Sequence, residues 1–468
     1  MANMNPSENL PNDGFASLRA RLHRAIPGGA HTYSRGDDQF PAIAPPLFVR
    51  GKGAYTWDSA GNRFLDYGMA LRAVTLGYAD ARVNAAAAAE MEKGVNLTRA
   101  TLTELEAAET LIDLIPSVEM VKFGKNGSNV TTAAIKIARA FTGRRFVCVP
   151  RQQPFFSFDD WFIGTTALKR GIPADQTSAT LNFDYNDIAS LQALFDAHPG
   201  EIAAVMLEPA TTLTPCPPAC SRKNDWLETG TCASCDCTAQ NFLQQVQSLC
   251  RADGALFVLD EMITGFRWHL QGAQTFFGVQ PDLSTFGKGM ANGFSVAAIG
   301  GRRDVMEVGA IDRPGMERTF LLSTTHGAEM TGLGAFIETV RIYRDEDVTG
   351  HLWHYGAQLR DGLNAVAARH GLVQNFQTDG PAISLNYLTR DRDGALSLPM
   401  RTLFAQELMK RGVMMPWIAI SQSHGPVELA MTLEAVDGAL GVYAQALDGG
   451  VEKFLQGAAI RPVFRTHN

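Results

Sequence analysis

Three residues of this chain could do chemistry together. Asp260 ends the apolar run ALFVLD, Glu208 ends AAVMLEP, and Lys288 follows LSTFG, 28 positions after Asp260. A lysine near other cations, or removed from water, has a lowered pKa and can form a Schiff base with a carbonyl. An aspartate opposite it can keep a heterocyclic nitrogen protonated, which turns the ring into an electron sink. Taken singly, each could be a solvated strand end, the commoner fate of a charged residue. A fourth feature is Asn126-Gly127-Ser128-Asn129, directly before the helical pattern VTTAAIKIARAFTG. A glycine turn feeding a helix N-terminus presents free N–H groups and a positive dipole end, which suits a phosphate. The plainer reading is an ordinary N-cap.

These residues need elements that bring them to one place. Short apolar runs bounded by polar residues and glycine read as buried strands of a parallel sheet. Ligands of such sheets sit beyond the carboxyl ends of the strands. LFVLD, LSTF, EIAAVMLEP and RFVCV are such runs, and strand and helix patterns alternate from Val121. The expected class is therefore α/β. Residues 1–50, rich in Gly and Pro, read as an arm over the body. Residues 51–340 read as the large domain, with a cysteine-rich insertion at 214–238. Residues 341–468, with separated helices and the short strands ISLNY and VMMPW, read as a smaller C-terminal domain. Within the large domain GAYTWDSAGNRFLDY reads as a hairpin, with helices at Asp80 to Lys93 and Thr103 to Ile115.

The bulk composition narrows the partners. The chain has 468 residues, 46% hydrophobic and 19% charged, which is a globular rather than a disordered balance. The formal net charge of −7 gives no electrostatic reason to expect nucleic acid or anionic lipid. No run approaches the ~18 apolar residues of a membrane span. The polar start lacks a signal-peptide layout, so the expected location is cytoplasmic.

A phosphate turn, an aspartate and a lysine at one sheet rim together describe a pyridoxal phosphate site. The residues that carry them resemble a known family. VLDEMITGFR followed by PDLSTFGKGMANGFSVAAIGGRRDVME is similar to the class III aminotransferases of fold type I, and nearest to their glutamate-1-semialdehyde aminomutase group. IPGGAHTYSRG, YTWDSAGNRFLDY, KNGSNVTTAAIKIARAFTGR, VMLEP and GVMMPW extend the likeness from about Pro27 to Ala435.

The resemblance implies a mostly parallel seven-stranded sheet with a smaller α+β C-terminal domain. It implies that Lys288 forms the internal aldimine and shuttles the substrate proton, and that Asp260 pairs with the pyridinium nitrogen. Met262 would pack on the ring face, Asn126, Gly127 and Ser128 would hold the phosphate, and Glu208 would lie near the ring hydroxyl. An aromatic side chain from the segment after the phosphate helix would stack on the ring. Phe155 is the choice here, although Pro154-Phe155-Phe156 aligns only with a shift of one. Thr325, in STTHGAE, would reach the phosphate of a neighbouring subunit, which implies a homodimer with the active site at the interface.

The departures from the group concern the substrate. The group carries Ser-Gly-Thr-Glu at the phosphate turn, against Asn-Gly-Ser-Asn here. After Asp66-Tyr67 it carries Gly-Ser-Trp-Gly-Pro, against Met69-Ala70-Leu71-Arg72-Ala73, so a tryptophan is lost and an arginine gained. Arg35 matches the group's N-terminal arginine, a candidate for a bidentate carboxylate pair or simply a surface loop residue. Arg72 could reach a second anionic or hydroxyl group.

Six of the seven cysteines fall between Cys216 and Cys250. Cys216 and Cys220, then Cys232 and Cys235, form two short-spaced pairs separated by 11 residues, with Cys237 as an alternative ligand. The spacing fits a four-cysteine structural zinc site; free thiols or disulfides are the alternatives. Cys148 reads as core, and His269, His326 and His424 are assigned no catalytic role.

The expected function is amino transfer from an amino donor to a small carbonyl acceptor on pyridoxal phosphate. Intramolecular transfer of the aminomutase kind is the alternative, with Ser157 to Pro173 in the place of the lid it needs. Racemisation is a weaker rival. A non-catalytic metal- or partner-binding protein is the rival from another class.

Overall fold

The computed structural model describes residues 14–153, 155–215, 240–319 and 322–467. Their strands are β1 (Phe48–Lys52), β2 (Tyr55–Asp58), β3 (Arg63–Asp66), β4 (Met120–Gly124), β5 (Phe146–Pro150), β6 (Thr180–Phe183), β7 (Ile202–Leu207), β8 (Leu256–Asp260), β9 (Leu283–Phe286), β10 (Ala297–Gly301), β11 (Phe376–Asp379), β12 (Asn386–Thr389) and β13 (Val413–Met414).

The chain divides into two compact units: 1–71 with 76–80 and 354–465, and 72–75 with 81–353 and 466–468. The second unit is built on a seven-stranded sheet of order β4-β10-β9-β8-β7-β5-β6. Strands β6, β5, β7, β8 and β9 run parallel. β10 runs antiparallel to both β9 and β4. β4 therefore points the same way as the parallel set, and all six strand ends before a turn or loop share one rim. The α/β architecture is as expected.

β7 and β8 are buried at every position. That is why the runs IAAVML and LFVLD show no polar alternation: helices cover both faces of a parallel sheet. The helix Gly127–Thr142 buries Val130, Ala133, Ala134, Ile137 and Ala138, a stripe at helical spacing, against β7, β9 and β10. Burial of each large aliphatic side chain on that stripe stabilises by about 1.5–3 kcal/mol. Gly143, at φ 68, ends the helix in the left-handed conformation that a side chain would resist.

The first unit holds a sheet of order β1-β2-β3-β13 and the pair β11-β12. β2 and β3 form the expected hairpin, with Asp58 accepting from the backbone of Ala60 and Asn62 in its turn. β13 adds in parallel to β3 through Val413 and Leu65. This pairing groups 51–71 with the C-terminal residues, so the units do not follow the linear boundaries at 50 and 340. The N-terminal segment also has more order than an arm. It carries a helix, Phe15–Ala25, before three short 3-10 turns.

Candidate active site

Strand register alone brings the three chemical residues of the second unit together. Leu207 pairs with Leu259, so Glu208 lies beside Asp260 at the ends of β7 and β8. Asp260 pairs with Thr285, and Lys288 follows three residues on, just beyond β9. β4 ends at the same rim, so Asn126-Gly127-Ser128 emerges there too. Its helix begins at Gly127.

Two buried acids meet at the end of β8, and they are not equivalent. Glu261 is fully enclosed, and its carboxylate accepts from Thr264 Oγ1, Ala273 N, Gln274 N and Gln274 Nε2. Its valences are spent on structure. Asp260 accepts at Oδ1 from Met262 N at 3.0 Å and Thr285 Oγ1 at 3.1 Å. Oδ2 accepts from no described residue. Glu208 is also buried, and its Oε2 has no hydrogen-bond partner among the described residues. Buried polar atoms without partners are uncommon and ask for a ligand. That buried oxygen and the uncommitted Oδ2 of Asp260, both beside a lysine, fit a polar heterocycle such as pyridoxal phosphate.

The electrostatics agree with that fit. Burial lowers the Lys288 ammonium's pKa and the Arg72 charge adds to the effect, while Glu208 and Asp260 oppose it. Burial, then the neighbouring Asp260, pushes the Glu208 carboxyl up, and burial pushes Asp260 up as well. Lys288 itself stands at φ 44. A left-handed conformation costs a non-glycine residue roughly 1–2 kcal/mol, and such strain collects at functional sites.

Met262 is buried between two glycines. A Cβ on Gly127 would stand 3.2 Å from its Sδ, and one on Gly287 would stand 2.6 Å away. Glycine at both positions lets the Asn126-Gly127 turn and the β9 end approach the same thioether. Asn126 is the helix N-cap: its side-chain oxygen accepts from Asn129 N at 3.0 Å. The capping reading thus holds for its side chain, and the first N–H groups of the helix remain without intrahelical partners. Ser128 is buried and its Oγ accepts from Phe158 N at 3.1 Å, which leaves its own O–H able to donate. Phe155 is 47% exposed, edge-on to Phe162 at 6.3 Å. Phe156 is buried. Pro154 lies outside the described residues.

Arg72 closes a run, Met69–Arg72, whose φ angles are 39, 48, 63 and 67. It is half-buried and interacts electrostatically with Glu208 and Lys288. Arg35 is placed differently. It lines a cavity of about 560 Å³ in the first unit, with Arg50, Asp66, Tyr78 and Trp417. There the Tyr78 hydroxyl donates to Asp66 Oδ2 at 2.7 Å and accepts from Ala70 N at 2.9 Å. Burial raises Asp66 to about 6. Thr325 is exposed, and its carbonyl accepts from Asn96 Nδ2 at 2.8 Å.

Two residues of the site were not singled out from sequence. Gln153 is buried and clamps the backbone of Glu208, donating from Nε2 to its carbonyl at 2.8 Å and accepting its N–H at 2.7 Å. Thr285 holds Asp260. Each had a weak signal: a polar residue just after or within an apolar strand. The expected zinc ligands Cys216, Cys220, Cys232, Cys235 and Cys237 lie outside the described residues. Among the described residues no group of three or more His, Cys, Asp or Glu is placed to hold a metal, and none of the helices is long and apolar enough to cross a membrane.

Comparison with known proteins identifies the family. Residues 33–213 and 233–422 match the family "Aminotransferase class-III". The chain is 31% identical to the glutamate-1-semialdehyde 2,1-aminomutase of Alkaliphilus oremlandii (strain OhILAs), over 90% of this chain and 97% of that protein. In structure it is similar to the FumI protein of Sphingopyxis sp. MTA144, solved with pyridoxal phosphate, at a TM-score of 0.80 and 29% identity, covering 93% of this chain and 97% of the other. An omega-transaminase from Sphaerobacter thermophilus superposes at a TM-score of 0.76 with 26% identity, covering 93% and 98%. The non-catalytic alternative is thereby excluded and the cofactor is pyridoxal phosphate. The chain belongs to the class III, fold type I aminotransferases, close to the glutamate-1-semialdehyde aminomutases.

Proposed function

We propose that this enzyme moves an amino group between two carbons of one small amino-carbonyl substrate, at a site made by Lys288, Asp260 and Glu208. The placement rests on one observation: register sets a lysine of lowered pKa beside two buried carboxyls with unpartnered oxygens. The intramolecular outcome rests on the relatives, since glutamate-1-semialdehyde 2,1-aminomutases of 30–31% identity align over 90% of this chain. Transfer to a separate acceptor, the first expectation from sequence, takes second place on that weight.

Pyridoxal phosphate, when bound, supplies an aldehyde that condenses with amines and a protonated ring that takes up electrons. The chain's residues do the rest. Lys288 Nζ would be the attachment point and, when free, the base that moves a proton between the substrate carbon and the cofactor. Asp260 Oδ2 would hold the ring-nitrogen proton, and the bonds from Thr285 and Met262 fix its other oxygen. Gly127 N and Ser128, at the helix start, would hold the phosphate, and Met262 would pack on the ring. Glu208 Oε2 meets the ring's oxygen side. The segment Ser157–Pro173, anchored at Phe158 to Ser128, keeps water and intermediates from exchanging. Thr325, exposed on the single chain, completes the phosphate site of a second copy in a homodimer.

The second reading has its own support. Arg72 stands where the aminomutase group has a glycine, and an omega-transaminase is among the structural relatives. Giving the holoenzyme glutamate 1-semialdehyde with no amino donor separates the two. Many turnovers of amino-shifted product per site are expected. Turnover that stops after one equivalent, and resumes only with an added donor, would install the second reading instead.

A further inference from the structure

Arg72 has so far entered only through its charge on Lys288, and three features set it apart. Its guanidinium is half-buried yet makes no hydrogen bond to any described residue. Five fixed donors withdrawn from most water, without an acceptor, are costly unless a ligand supplies one. Its segment is seated beside Lys288: Thr75 N donates to Asn292 Oδ1 at 3.0 Å, and a Cβ on Gly289 would stand 2.8 Å from Thr75 Oγ1. Arg72 interacts electrostatically with Glu208, whose Oε2 is itself unpartnered among the described residues. The two interact through space without pairing, so the donors of one and the acceptor of the other remain available. The neighbouring Arg267, by contrast, is engaged, donating from Nη1 to Thr75 Oγ1 at 3.1 Å.

The backbone adds an independent sign. Met69, Ala70, Leu71 and Arg72 are four consecutive side-chain-bearing residues in the left-handed region. No glycine or asparagine within the run eases that conformation. Strain of this kind persists where a residue must be aimed.

We infer that Arg72 is a specificity-determining residue of the catalytic chamber and binds a carboxylate of the substrate beside Lys288 and Glu208. A planar guanidinium matches a carboxylate through two parallel bonds. The substrate class is therefore amines that carry a carboxylate. The inference rests on the pyridoxal phosphate amino-transfer reading and holds for transfer within one molecule or between two.

The test uses holoenzyme and matched amines: ω-amino carboxylates of two to five carbons, and the carboxamide of each. Binding is read from the change in cofactor absorbance. Wild type is expected to bind at least one carboxylate tenfold or more tightly than its carboxamide. Arg72→Leu should erase that preference, weakening the carboxylate at least tenfold more than its carboxamide, and Arg72→Lys should restore part of it. The preferred chain length reports how far the carboxylate lies from the reacting amine. A short length favours amino-acid donors and a long one favours a semialdehyde with a distal carboxylate.

A preference that survives Arg72→Leu, or none in wild type, would overturn the inference. So would lost cofactor affinity with the carboxylate preference intact, because Arg72 would then serve the cofactor. Arg72→Gln gives the same comparison if the leucine variant does not fold. A wild-type chain that takes up no pyridoxal phosphate would defeat the functional reading itself, a result distinct from failure at Arg72 alone.

Discussion

Thr285 and Asp260 face each other across β9 and β8, and the threonine hydroxyl donates to Asp260 Oδ1 at 3.1 Å. With the bond from Met262 N, this engages one carboxylate oxygen and leaves the other available. Thr285→Val keeps the shape of the strand and removes the donor. Asp260 then holds its own proton more tightly and, in the role proposed for it, would hold the ring-nitrogen proton less well. Pyridoxal phosphate affinity and kcat/KM should each fall roughly tenfold, the effect of about 1.4 kcal/mol. Cofactor titration by absorbance measures the first. Unchanged affinity and rate would separate Asp260 from cofactor binding.

Gln153 holds both backbone groups of Glu208 in the interior. Gln153→Met fills most of the same volume but satisfies neither group. Each orphaned buried group costs about 1–3 kcal/mol, so denaturant unfolding should show a loss of several kcal/mol. A loss under about 0.5 kcal/mol, the range of surface substitutions, would mean that other partners replace the clamp.

Lys288 and Arg72 are both cationic, and each positive charge penalises the other. Arg72→Leu removes that penalty from the ammonium form, so the Lys288 pKa rises. Fewer neutral amines are then present at neutral pH. The rate at which apoenzyme takes up pyridoxal phosphate should drop near pH 7 and recover at higher pH. A pH profile that stays in place, or moves to acid, would contradict the assigned proximity.

Much of this candidate site's placement was legible in the sequence because a parallel sheet obeys few rules. Uninterrupted apolar runs named β7, β8 and β9, and their polar ends named Glu208, Asp260 and Lys288. What remained hidden depends on local geometry that one-dimensional patterns do not carry. The left-handed run Met69–Arg72 has no glycine within it to announce it. Asn126 could be a cap or a phosphate ligand, and only the position of Asn129 N shows that its side chain caps. Arg35 and Arg72 read alike as candidate anion binders. The structure sets Arg72 near Lys288 and Arg35 in a cavity of the first unit.

Asp66 offers a test of stability in that first unit. Its folded pKa, about 6, lies above the ordinary 3.8. Protonation therefore favours the folded chain: the contribution is fully present below about pH 4 and is lost as pH rises through about 6. Asp66→Asn should remove this part of the pH dependence. The stability difference between the two proteins should then change by as much as about 3 kcal/mol across that window. Denaturant unfolding at several pH values measures it. Parallel curves would mean that Tyr78, Gly68 and Met69 keep the ionised carboxylate fully satisfied.

The central claim is that Lys288 carries the cofactor at the β8–β9 rim. Reducing the holoenzyme with borohydride fixes any Schiff base, and mass mapping of the digested chain locates the modified lysine. The expected label lies on Lys288 alone. Lys288→Ala should take no label and lose at least about a thousandfold in kcat, the scale of a lost proton-transferring group. A pyridoxyl label on any other lysine, or turnover that survives the substitution, would contradict the claim.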